Sequence, residues 1–394
     1  MSAGISLVCP QCNREYDSGE RNRCPAHDLR PVLTLEYDVE KLREEFDPAD
    51  CIRNDIWRYE PLLPADTGAE ITLGEGWTTV VTASSIGEKL DVDLALKLEG
   101  ANPTGSTKDR GSAMATTRAK IDGLDTLVCA STGNAAASIA AYTAHADLSC
   151  SIFVPDGLPT AKGLQSRVYG ADVIAVEGDY SAAADACRER GCREGWLDRT
   201  AGETPYVSAG AQTLGFELAE QSPAVDWITV PMGNGGTIAD LWRGWRLFER
   251  LGYVDSSPRL LGVQAANVAP IHHSTRPESH PVEESNRESQ ARNTCADSID
   301  VSHPRRDADA KAAIEESGGT TLTVTDDQIR SMLVRLGNEE GVFAEPASAA
   351  TVAGVDVARE QGLIDPGAEV IAVITGNGLK DTAAAANSLE WANE

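Results

Sequence analysis

The chain has 394 residues, 41% of them hydrophobic, and 61 Asp and Glu against 34 Lys and Arg leave a formal net charge of −27. That surplus excludes nucleic acid or an anionic membrane as the main partner, because phosphates are repelled at long range, and the length suits about two to three domains. The cations divide into 26 Arg and only 8 Lys, a balance that fits a halophile's cytoplasm, where dense carboxylates hold a hydration shell and salt screens their repulsion.

The first predicted element is a zinc ribbon over residues 1–35. Met1 to Val8 carries neither a basic region nor a long apolar one, so no export signal is expected. Cys9-Pro-Gln-Cys12, eleven residues, then Cys24-Pro-Ala-His27 form two ligand pairs. Each pair can close a tight turn around one cation, and Cys9, Cys12, Cys24 and His27 together complete a closed, structural Zn2+ site. A ribbon so short has almost no core, so the metal would supply its folding energy. The other six cysteines are scattered singly from Cys51 onward, which is no disulfide framework and points to a reducing, cytoplasmic compartment. No run of about 18 apolar residues is present to span a bilayer.

Next comes the stretch Leu98 to Gly111, in which a Pro–Gly turn sets Lys108 just ahead of a helix expected from Gly111 to about Lys120. The positive end of a helix destabilises an ammonium, which favours the nucleophilic amine. From there the pattern is strand, turn, helix, repeated. Apolar runs at 125–130, 149–154, 172–176, 227–230, 259–263 and 369–374 alternate with alanine-rich amphipathic segments at 135–146, 161–169, 181–194, 238–251, 308–316 and 348–360. Such alternation implies right-handed crossovers and parallel sheets covered on both faces, an α/β fold. Thr325 to Gln328 reads as a capping box. Residues 272–306, rich in His, Ser, Pro, Glu and Arg, read as a long, disordered polar loop whose histidines are irregularly spaced for a metal.

Three turns that follow strands and open helices are candidate anion sites, since unpaired N–H groups at a helix start attract negative charge. They are Ala130 to Ala135, Pro231 to Thr237, and Ile374 to Asp381. Gly233, Asn234, Gly235, Gly236 and Thr237 can wrap one phosphate, because glycine lets the backbone approach it closely. The loop lacks the pattern of a dinucleotide or ATP site, so a monophosphate ligand is preferred.

Asn102-Pro-Thr-Gly-Ser-Thr-Lys108-Asp-Arg110, with Ser131-Thr-Gly-Asn134 downstream, resembles the pyridoxal-phosphate enzymes of the tryptophan-synthase-β fold (fold type II). Among these it is most similar to the threonine synthases. Leu73-Gly-Glu-Gly76, Glu345-Pro-Ala-Ser-Ala349, Thr375-Gly-Asn-Gly-Leu-Lys-Asp381 and the N-terminal cysteine pairs fit the same branch, in order from about Cys9 to Asp381. The resemblance implies two three-layer αβα domains with mostly parallel sheets beside the ribbon. The large cofactor-binding domain would take 36–111 and 199–394, with a small mobile domain over 112–198. It implies a small-molecule amino-acid substrate and a homodimer.

The resemblance also assigns roles. Lys108 would hold pyridoxal 5′-phosphate as a Schiff base and shuttle protons. Gly233 to Thr237 would cradle its phosphate, Asn134 would bond its 3′ oxygen, and Thr375 would meet its ring nitrogen with a hydroxyl, leaving that nitrogen largely unprotonated. Ser131, Thr132 and the amide of Ala135 would take the substrate carboxylate, and Lys162 the substrate phosphate. The implied reaction is γ-elimination of phosphate from O-phosphohomoserine and addition of water to give threonine. The chain departs from the family at Thr107, where Phe is usual, at Trp77 to Val80, and at Thr204 to Thr213, where the usual arginine for the substrate phosphate is missing. Those departures leave a related lyase or β-replacement enzyme as one rival, and a catalytically retired zinc-ribbon scaffold as a rival of another class.

Overall fold

The computed structural model describes residues 4–17, 19–28, 30–66, 68–157, 163–275 and 294–392. The chain divides into two compact units: 1–77 with 102–217 and 250–253, and 78–101 with 218–249 and 254–394. The fold class is α/β, as expected.

In the first unit, Ile5–Val8, Glu15–Asp17 and Thr34–Tyr37 pair as a three-stranded antiparallel ribbon. This ribbon shares its core with the rest of the unit. Leu7, Cys9, Cys24 and Leu33 belong to one buried cluster with Ile56, Ala113, Met114 and Ile139. A four-stranded parallel sheet runs Asp172–Val176, Ser149–Pro155, Thr126–Ala130, Leu197–Asp198. Of the middle strands, Thr126–Ala130 is buried throughout and Ser149–Pro155 from Cys150 to Val154, as cover on both faces requires.

The first unit holds the expected small domain 112–198 together with residues 36–77, 102–111 and 199–217, which were expected in the large domain, the helix Pro205–Gln221 as far as Glu217 among them. A buried ion pair explains why that helix belongs here. Arg110 meets both oxygens of Glu217, at 2.5 and 2.8 Å, with both side chains fully buried. Gly210 comes so close to Arg110 that a Cβ there would stand 2.1 Å from its carbonyl oxygen.

In the second unit a six-stranded sheet runs Thr320–Val324, Arg259–Ala265, Trp227–Pro231, Glu369–Ile374, Asp93–Leu98, Val80–Thr82. Its strands are parallel except the last, an antiparallel edge. The helix Pro346–Glu360 packs on this sheet and is buried from Pro346 through Val355. The capping box at Thr325 opens the helix Asp326–Glu340 as expected.

The long polar loop expected over 272–306 does not hold at either described end of that span. Pro270–Thr275 is helical, and His272 is tied to Gln264 and Thr321 rather than to solvent. Ile299 and Arg306 are buried. Apolar Ile299 and the ion pairs of Arg306 with Asp240 and Asp309 supply packing that a count of polar residues hides. Residues 276–293 lie outside the described residues. Among the described residues no helix is long and apolar enough to cross a membrane.

Candidate active site

Lys108 opens its helix rather than preceding it, since the helix runs Lys108–Ile121, three residues longer at its start than the sequence suggested. Asp109 draws the helix back by accepting from Thr104 N at 2.7 Å and Thr104 Oγ1 at 2.5 Å, while Ser106 Oγ takes the Lys108 N–H at 3.4 Å. Asn102 braces the turn by accepting from Gly76 N at 2.9 Å. The half-buried lysine thus stands in the first turn, where the macrodipole disfavours a cation.

Beside it lies Arg199, only 3% exposed, whose Nη2 donates to Lys108 O at 3.2 Å and Nε to Ser112 Oγ at 3.1 Å. Burial lowers its pKa, against the attraction of Cys129, Asp109, Tyr180 and Asp198.

The helix Asn134–His145 follows the strand Thr126–Ala130 through Ser131, Thr132 and Gly133. Gly133 O, at the start of the helix, accepts from Ala137 N at 3.2 Å, and the first turn of any helix directs backbone N–H groups outward from its start. Thr200 Oγ1 steadies the turn by accepting from Ala130 N at 2.8 Å. Glu75, from the Leu73 to Gly76 motif, is fully buried and accepts from Leu73 N, Thr72 Oγ1 and Tyr142 Oη. Desolvation pushes its pKa up to about 7, because those bonds recover only part of what burial costs the carboxylate. Lys162 lies outside the described residues.

In the second unit the glycine loop joins the strand Trp227–Pro231 to the helix Gly236–Leu251. Gly235 has φ +85°, and a Cβ there would stand 2.7 Å from Arg306 O; a Cβ at Gly233 would stand 3.0 Å from Ser298 O. The loop thus has glycine where the backbone has no room, and it presents the start of a long helix, which suits a phosphate monoester. Asn234 braces the cradle: its Oδ1 accepts from Arg305 N at 3.2 Å and its O from Arg306 N at 3.0 Å. An anion would be met by N–H donors, which these bonds do not consume. Thr375 follows the strand Glu369–Ile374, and its Oγ1 donates to Glu345 Oε1 at 3.1 Å.

The ribbon gathers the other predicted cluster. The ligand atoms of Cys9, Cys12, Cys24 and His27 lie within 4.8 Å of one another. Cys12 and Cys24 sulfurs are 3.9 Å apart, and Cys9 Sγ is 3.6 Å from His27 Nε2. Tetrahedral arms of about 2.3 Å to sulfur put sulfurs about 3.8 Å apart, so the donor set fits zinc.

The family model for "Pyridoxal-phosphate dependent enzyme" matches residues 71–376. A threonine synthase of Methanocaldococcus jannaschii is 34% identical over 97% of this chain and 94% of its own length. The chain belongs to the threonine synthase family of pyridoxal-phosphate dependent enzymes. A threonine synthase of Synechocystis is 39% identical over 83% of each chain, and one of Mycobacterium tuberculosis 35% over 83% and 88%. Among solved structures, threonine deaminase isoform 2 from Solanum lycopersicum superposes with a TM-score of 0.67 at 22% identity, covering 80% of this chain and 83% of that one. Maize serine racemase gives 0.64 at 18%, covering 80% and 94%. At that identity they speak for the fold alone.

The stretch Thr204 to Thr213 holds no arginine, and within it Val207 packs against Gly111. Sequence reasoning missed Arg199, which sits in no motif. It also left Glu345 without a role, although the motif containing it was in view.

Proposed function

We propose that this protein is a threonine synthase, a carbon–oxygen lyase that converts O-phosphohomoserine and water to threonine and phosphate, with pyridoxal 5′-phosphate as cofactor. The observation that carries the proposal is the 34% identity to a threonine synthase over 97% of the chain. When bound, the cofactor supplies an electron sink for negative charge at the substrate's carbon atoms. The chain's own residues do the rest. Lys108 Nζ holds the cofactor and moves protons, and its place in a helix first turn favours the neutral amine this requires. The backbone of Gly233 to Thr237 holds the cofactor phosphate, Asn134 its 3′ oxygen, and Thr375 its ring nitrogen. Ser131, Thr132 and the amide of Ala135 bind the substrate carboxylate.

Lys162 supplies cationic charge for the substrate phosphate in the absence of the usual arginine. One zinc, held by Cys9, Cys12, Cys24 and His27, ties the ribbon together. A cytoplasmic homodimer adapted to high salt completes the reading.

The test is stoichiometry: O-phosphohomoserine should yield equal amounts of inorganic phosphate and threonine. Deamination of threonine or serine to a 2-oxo acid, with phosphohomoserine left intact, would instead identify a sister lyase.

A further inference from the structure

Arg199 is a buried arginine without a counter-ion. It follows the strand Leu197–Asp198, and its N donates to Val128 O at 2.8 Å, near the end of the strand Thr126–Ala130 from which the Ser131 to Ala135 turn departs. Its guanidinium makes two bonds, both to neutral acceptors: Nη2 to Lys108 O at 3.2 Å and Nε to Ser112 Oγ at 3.1 Å. Ser112 Oγ also accepts from Ser138 Oγ, on the helix Asn134–His145, at 2.7 Å. The two carboxylates that attract Arg199 through space are Asp109 and Asp198. Each is engaged elsewhere, Asp109 by Thr104 N and Thr104 Oγ1, Asp198 by Thr200 N at 2.8 Å. Among the described residues no ion pair joins either of them to Arg199.

A guanidinium stays charged in a protein and has five N–H donors to satisfy. Arginine is almost never buried so deeply unless it is paired, because a charge taken out of water needs an opposite charge beside it. At Arg199 the way it faces supplies the answer. None of its nitrogens is both sealed in protein and without a partner, so Nη1, which makes no bond among the described residues, opens to solvent. The same guanidinium adjoins Lys108 and the residues that lead into the Ser131 to Ala135 turn, all within one compact unit. The missing counter-ion is then a ligand. In the functional reading the cofactor phosphate goes to Gly233 to Thr237 and the substrate carboxylate to the Ser131 to Ala135 turn. The anion still to be placed is the phosphate at the far end of the substrate.

We propose that Arg199 binds the phosphate monoester of the substrate through Nη1 and thereby sets the preference for a phosphorylated amino acid. This rests on the reading above that O-phosphohomoserine is the substrate. Lys108 O and Ser112 Oγ fix two of the three guanidinium nitrogens before any ligand arrives, so little side-chain freedom is lost on binding. The chain's net charge of −27 repels a dianion at long range, which leaves its capture to cations at the site itself.

The test compares two ligands on the holoenzyme. One is 2-amino-5-phosphonopentanoate, in which a CH2 replaces the ester oxygen so that nothing can leave; the other is norvaline, the same chain without the phosphonate. Both are titrated by the change in the cofactor's visible absorbance. Wild type should bind the phosphonate more tightly, and Arg199→Gln should cut the ratio of the two Kd values by about tenfold or more, as expected for loss of a hydrogen bond between charged partners. Arg199→Lys, which keeps the charge but not the fork, should fall in between. A crystal structure of the wild-type holoenzyme with the phosphonate should place a phosphonate oxygen on Nη1, a result that needs no variant to fold; a phosphonate held away from Arg199 overturns the proposal. An unchanged ratio in Arg199→Gln also overturns it and leaves Arg199 as a structural brace for Lys108. If wild type binds the two ligands equally, there is no phosphate subsite, and the proposal falls together with O-phosphohomoserine as the substrate.

Discussion

Replacing Gly235 by alanine tests the phosphate cradle. Its φ of +85° costs an L-residue about 1–2 kcal/mol. The new Cβ would also stand 2.7 Å from Arg306 O and 2.9 Å from Ala310 Cβ. Arg306 is poorly placed to retreat, since its N–H bonds Asn234 O at 3.0 Å and its guanidinium is held by Asp240 at 2.6 Å and Asp309 at 2.8 Å. Overpacking of this kind adds about 1–3 kcal/mol. Gly235→Ala should therefore cost roughly 2–5 kcal/mol, shared between the stability of the apoprotein and the loop geometry that binds phosphate. A share of about 1.4 kcal/mol raises the Kd for pyridoxal phosphate tenfold. Gly236→Ala is the control: its Cβ would meet Arg306 at an ordinary 3.5 Å, so stability should stay within about 0.5 kcal/mol of wild type. Denaturant unfolding of the apoprotein and titration with pyridoxal phosphate, followed by visible absorbance, measure the two shares. Unchanged stability and unchanged Kd in Gly235→Ala would refute the reasoning.

Three further outcomes are expected. Glu75, raised from its usual 4.5 to about 7, holds a proton in the folded state that the unfolded chain has released, so its contribution to stability is full below about 4.5 and is lost as pH rises to about 7. That amounts to roughly 3 kcal/mol, and denaturant unfolding across this window should show a flatter profile for Glu75→Gln; identical slopes would contradict it. Elemental analysis should find one zinc per chain, and Cys9→Ser should lower both zinc content and Tm, because the ribbon shares its core with Ala113 and Met114 of the Lys108–Ile121 helix. Metal-free protein with an unchanged Tm would contradict it. Tm should climb as potassium chloride rises into the molar range, since screening relieves repulsion within a chain of net charge −27, and a flat or falling Tm would remove the halophilic reading.

What was legible in the sequence follows from how each element is buried. Strands such as Thr126–Ala130 and Trp227–Pro231 are covered on both faces and appear as unbroken apolar runs. The helix Pro205–Gln221 escaped notice for a related reason: it is buried nearly all round, even at Gln212, Thr213 and Glu217, so no polar face marks its period. The strand Asp93–Leu98 carries a fully buried lysine, Lys97, which local patterning marks as surface. Its ammonium is satisfied by Thr78 O at 2.7 Å and Gln221 Oε1 at 2.8 Å, the second partner more than a hundred residues away. In the candidate site, spacing alone brought the three cysteines and His27 together, because a metal ribbon is a local structure. The pairing of Thr375 with Glu345 and the burial of Arg199 beside Lys108 depend on tertiary packing, which no short motif encodes.

The central claim is that Lys108 carries the cofactor. Borohydride reduction of the holoenzyme followed by peptide mass spectrometry tests it most directly, by fixing pyridoxal phosphate to whichever lysine holds it. The account predicts a single phosphopyridoxyl adduct on Lys108. An adduct on Lys97, Lys120 or Lys380 instead, or none on a protein that still shows the bound cofactor's visible band, would contradict it.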